Sequence, residues 1–155
     1  MKLLKTTVFG AHYLLNRTEL YLLETVLQKF PFTEAPPGRI SRRRRDPQAA
    51  EREKLLNQSL AEHRRELTRA ARELLAGNRV KPMNDNHLLT LTPADRETLL
   101  QILNDVRVGC WYALGEPDEL EPKDPDMTDQ EFAWRNLMHL AGHFEHHLVE
   151  DEPEG

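Results

Sequence analysis

The feature that most constrains this chain is an apolar seam through its middle: Leu56, Leu60, His63, Leu67, Ala70 and Leu74. The steps alternate four and three, the spacing of a coiled-coil or bundle helix. Most of what lies between is Glu and Arg, so one narrow stripe is buried and the remainder is wet. Asp46-Pro47 opens this helix, with Asp as cap and Pro at the first helical position. Gly77-Asn78 closes it after about Ala76. The stripe is covered either by the rest of the fold or by a second chain. His63 on the seam reads as a core histidine satisfied by a neighbouring carboxylate or carbonyl; the alternative is a buried base or ligand. A polar residue at such a position also fixes register between helices.

Three further helices are legible from their caps and periodicity. Asn16 and Glu19 form a capping box ahead of Leu20, Leu23, Val26, Leu27 and Phe30, and Pro31 ends that helix. Thr92-Pro93 starts a second, with Asp95 in its first turn; it is apolar nearly all round from Leu99 to Leu114, which marks it as the central, buried element. Thr128 and Glu131 box the start of the last helix, which runs to about Glu150. Val8 to Leu15 is rich in strand formers, with Gly10 marking a turn or bulge, and His87 to Leu91 is a short strand that can pair with it. Val80 to Asn86 reads as a polar connector. The expected architecture is mostly α: one domain over 1–155, a small bundle of about four helices with a minor two-stranded β element. A flexible Pro/Arg-rich linker spans 31–47, and an acidic tail frays at 151–155.

Composition narrows the function. At 155 residues the chain is about one domain long. A net charge of -5 argues against wholesale nucleic-acid binding. A single cysteine, Cys110, excludes an intramolecular disulfide and suits a reducing cytosol. The start of the chain has no adequate apolar region for a signal peptide, and no stretch approaches the roughly 18 apolar residues of a membrane span, so the expected compartment is cytoplasmic.

Four of the seven histidines, His139, His143, His146 and His147, crowd into the last helix. On a wheel of about 100° per residue, Trp134, Leu137, Ala141, Phe144 and Leu148 share one side. His139, His143 and His146 lie roughly opposite, with His147 at their edge and Glu150 continuing their stripe. Two pairs, His139/His143 and His143/His147, are one turn apart, the spacing at which two imidazoles can hold one divalent metal such as zinc. A straight helix cannot wrap an ion, so a third ligand must come from elsewhere: His12, His87, the acidic loop before the last helix, or a second copy. HExxH fails because Phe144 follows His143, and HxxEH fails because His143-Phe144-Glu145-His146-His147 has His146 where that pattern needs Glu. The plainer reading is a polar surface facing solvent or a partner, with no cofactor.

Arg42, Arg43, Arg44 and Arg45 read as a solvated linker; the alternative is an arm contacting phosphates or an acidic partner. Cys110 lies within an apolar helix and should be buried and inert. Asn104, Arg107 and Trp111 share a stripe on the otherwise apolar central helix, with Asp105 one residue off it. Buried polar groups must be paired, so these should tie the helix to its neighbours. Phosphate-binding glycine loops, GxSxG and dinucleotide fingerprints are absent.

From Leu88 to Gly115, a short apolar strand, a capped helix, Leu103-Asn104-Asp105-Val106-Arg107 and a closing Leu114-Gly115 follow in order. This segment resembles a bacterial family of unknown function often encoded beside the Clp protease adaptor ClpS. There a similar Leu-Asn-Asp-hydrophobic-Arg segment ends in Leu-Gly ahead of a final helix. The arginine run and the histidine-rich end are not part of that pattern. The resemblance implies a cytoplasmic accessory protein rather than an enzyme, and assigns no catalytic residues. Together these readings point to a non-enzymatic interaction or regulatory module with a protein partner or self-association; the alternative is a metal-binding sensor or hydrolase built on the last helix.

Overall fold

The computed structural model describes residues 1–33, 47–76, 79–119 and 125–150. Arg42 to Arg45, most of the Pro/Arg-rich segment and the acidic tail lie outside them. The described elements are β1 (Lys2–Thr7), β2 (Gly10–Leu15), α1 (Arg17–Gln28), α2 (Pro47–Ala76), β3 (Val80–Met83), β4 (Asn86–Leu91), α3 (Pro93–Ala113) and α4 (Asp129–Glu150). The protein is mostly α, with four helices among the described residues.

The β element is larger than the sequence suggested. It is a four-stranded antiparallel sheet in the order β1-β2-β4-β3, not a pair of strands. The expected pairing of the N-terminal strand with His87–Leu91 is present, from Ala11 opposite Leu91 to Leu15 opposite His87. The two added strands are the edges. In β1 the register shifts between Leu3 and Lys5, which breaks the period-2 signal. In β3, Pro82 occupies a position that only an edge strand tolerates. Val8 and Phe9 form the turn between β1 and β2, and Asn84 adopts a left-handed conformation, φ 54°, in the turn between β3 and β4. Gly10 has no substitute here: its φ is 146°, and a Cβ would lie 2.2 Å from the Leu91 carbonyl oxygen.

One sheet face is buried against helices. Ala11, Tyr13 and Leu15 of β2 and Leu89 and Leu91 of β4 alternate into the core. They meet Leu23, Val26 and Leu27 of α1 and Leu99, Ile102, Leu103, Val106 and Cys110 of α3. Leu137, Ala141, Phe144 and Leu148 of α4 close the other side of α3, which touches α1, α2, α4 and β4. Each fully buried Leu or Phe contributes about 1.5–3 kcal/mol of transfer free energy. The caps match the sequence reading: Asn16 with Glu19, Thr92 with Asp95, and Thr128 with Glu131 all carry reciprocal hydrogen bonds. Arg96 of α3 donates from Nε to the Leu148 carbonyl at 2.9 Å, fixing the end of α4 against α3.

The long helix departs from expectation. Leu74 is buried and Leu67 packs against the core, but the buried alanine is Ala71 rather than the seam's Ala70, which is half-buried, and the earlier seam residues are not covered. Leu56 is 59% and Leu60 50% exposed, with Leu55 beside them at 62%. His63 is exposed too, so it is not the core histidine that the seam implied. The apolar seam outruns α3, whose last turn reaches only as far as Leu60. The stretch before Leu60 projects for about 20 Å at 1.5 Å per residue.

Candidate functional site

The first half of α2 is the most distinctive surface among the described residues. Leu56, Leu60 and His63 continue the buried seam outward as an uncovered stripe. Where the seam passes from covered to open there is a groove of about 410 Å³ between α2 and α3. Leu60, His63 and Leu67 form one wall, Phe30 and Phe32 the floor, and Tyr112 the far side. Gly109 lets Phe32 into this position: a Cβ there would lie 2.4 Å from the Phe32 ring.

The central-helix polar residues hold the groove together. The Phe32 N–H donates to Asp105 Oδ2 at 3.1 Å, and Arg64 reaches Asp105 Oδ1 at 3.7 Å. Arg107 donates to Asn104 Oδ1 at 2.9 Å. Its Nε contacts Glu145 Oε2 at 2.8 Å, an ion pair without hydrogen-bond geometry. Burial pushes the Glu145 carboxyl above its ordinary value, against the opposing pull of Arg107. Trp111 Nε1–H donates to the Pro117 carbonyl at 3.1 Å. Asp105, Arg107 and Trp111 thus tie α3 to Phe32, α2, α4 and the loop after α3, while Asn104 is exposed and pairs only with Arg107 of its own helix.

The α4 histidines lie on the polar side, away from Leu137, Ala141, Phe144 and Leu148. His139, His143 and His146 are exposed and His147 is half-buried. His143 and His147 meet with ring centroids 4.6 Å apart. His146 Nε2 contacts Glu150 Oε2 at 3.0 Å. Nearby, the Met1 amine pairs with Glu19. Burial works to raise the Glu19 carboxyl, but hydrogen bonds from that amine and the Asn16 N–H outweigh it and hold the group below its ordinary value. Loss of solvation, then the charge of His147 and of the Met1 amine, push His143 below its ordinary value; Glu19 pulls the other way. Among the described residues no group of three or more His, Cys, Asp or Glu side chains could hold a metal ion. His12 is engaged with Thr90 at 3.1 Å on the sheet, and neither it nor His87 completes the set. Cys110 is fully buried, as expected.

Two surfaces were not anticipated. Arg64, Arg65, Arg69 and Arg72 line a shallow groove of about 500 Å³ on the C-terminal half of α2. Their spacing on one helix was the available signal. At the β1–β2 turn, Val8 and Phe9 are 91% and 83% exposed; their apolar character had read as strand.

Comparison with known proteins adds no relative: no family model matches, and neither does any curated protein or solved structure. No helix among the described residues is long and apolar enough to cross a membrane.

Proposed function

We propose that this protein is a non-enzymatic interaction or regulatory module of the cytoplasm that docks a helical partner on the first half of α2. The observation that carries the reading is the uncovered stripe Leu56–Leu60–His63, continuous with a seam that the fold does cover. An exposed apolar stripe at coiled-coil spacing is costly to leave in water, and a helix laid against it recovers that cost. The neighbouring groove of about 410 Å³ offers room for the end of such a helix. The likeness of Leu88–Gly115 to the family encoded beside ClpS suits the same proposal of an accessory role. The test is a Leu56→Glu, Leu60→Glu double variant, folded by circular dichroism. Association seen with wild type and lost in this variant supports the reading. Association retained at full strength contradicts it.

A second reading, a zinc site on α4, has in its favour the contact of His143 with His147. It is completed by ligands from another molecule. It predicts stoichiometric zinc that survives dialysis and is lost in a His143→Ala, His147→Ala variant; absence of retained zinc in tag-free protein removes it.

A further inference from the structure

We infer that the occupant of the α2 stripe is a second copy of the same helix, laid antiparallel about residue 58. The inference rests on the reading of α2 as a docking helix and names its partner. A two-fold axis makes such a contact isologous: whatever residue i meets, the partner's equivalent meets in return. Placing the axis at residue 58 sets Leu56 against Leu60 of the partner subunit, and Leu60 against the partner's Leu56, so the two exposed leucines form a four-residue apolar centre. The same register sets Glu53 against the partner's His63 and Ala49 against the partner's Leu67. On the flank of the seam it sets Arg52 against the partner's Glu66. Both Arg52 and Glu66 are exposed and free to make that pair. Each acid on the contact therefore meets a base, twice per dimer.

The parallel alternative fails on charge. In register, it stacks Glu53 on the partner's Glu53 inside the seam and His63 on the partner's His63. Burying like charges on the axis is costly. It also leaves Arg52 opposite Asn57 and Glu66 opposite Ala71, without ionic partners. Only the antiparallel register uses the polar interruptions of the seam. This gives His63 the register-setting role that a polar residue in a coiled-coil core performs.

The geometry of the fold accommodates it. α3 covers α2 on the side of Leu67, Ala71 and Leu74 and ends beside Leu60, so the Leu56 side of the projecting half is clear of other described elements. From Ala49 to Leu67 the paired helices run together for about 28 Å at 1.5 Å per residue. The partner's Ala49 end arrives at the mouth of the groove formed by Leu67, Phe30 and Phe32.

Sedimentation equilibrium of the full chain tests this with Arg52→Glu, Glu66→Arg and the combined variant. Wild type should shift from monomer to dimer with concentration. Each single reversal creates two like-charge contacts per dimer and should weaken dimerisation about tenfold, given rim-pair energies of about 0.2–1 kcal/mol. The combined variant should restore it. Full-strength dimerisation in the single reversals, or no recovery in the combined variant, overturns the register. A wild-type chain that stays monomeric at its highest soluble concentration overturns self-pairing. If the Leu56→Glu, Leu60→Glu variant then still loses a different protein, the docking reading survives without it.

Discussion

The two halves of α2 carry the same apolar periodicity and meet opposite fates. In the second half, Ala71 and Leu74 belong to the core and Leu67 is half-buried against it. In the first, Leu55, Leu56 and Leu60 stand at least half exposed. Nothing in local propensity separates them. An isolated helix of the length that projects is marginal in water, so the first half is held helical by continuity with the docked second half. The difference teaches that periodicity fixes which face of a helix is apolar, while the reach of the neighbouring element fixes how much of that face is covered.

The largest expected effect sharpens this contrast. Leu74→Ala should cost about 2–5 kcal/mol of unfolding free energy, because it empties a site that is 3% exposed. Urea unfolding measures it; a loss under about 1 kcal/mol would place the second half outside the core as well. Next comes Gly109→Ala. The new methyl collides with Phe32 at the boundary between the halves, and should cost about 1–3 kcal/mol by overpacking. A neutral result would mean that Phe32 is free to move off α3. Leu56→Ala in the dilute monomer should change stability by no more than about 0.5 kcal/mol. A larger loss breaks the comparison, since it would show Leu56 buried in the monomer.

The smallest effect concerns the α4 histidines. The His143 pKa is depressed in the folded state, so the unfolded chain binds the proton more tightly. Stability should therefore decline as pH falls through the unfolded value near 6.5, with the full penalty reached below the folded value. His143→Gln should flatten this limb slightly, slightly because the ring is mostly in water. Thermal unfolding between pH 5 and 8 reads it, and an unchanged profile in the variant assigns the limb to other groups.

Much of the fold was legible from the chain. Asn16, Thr92 and Thr128 announced their helices because capping chemistry is local. The buried stripe of α4 followed from spacing alone. The edge strands did not. β1 loses its alternation to the register shift at Leu4, and β3 carries Pro82; the features that protect a sheet edge from further pairing also erase its sequence signal. His63 was misplaced for a different reason: coverage is a tertiary property, and although the end of α3 was legible at Leu114-Gly115, no periodicity states where along α2 that end lies. The α4 histidines were placed on the polar side correctly, yet whether other side chains converge on them lies beyond any one-dimensional pattern.

Hydrogen exchange along α2 tests the central claim most directly, measured at low and at high protein concentration. Amides of residues 67–76 should be protected at both. Those of residues 48–60 should exchange rapidly in dilute solution and gain protection as concentration rises, because their cover comes from another chain. Equal and concentration-independent protection of both halves would contradict the account, since it would mean that the whole seam is already buried within one molecule.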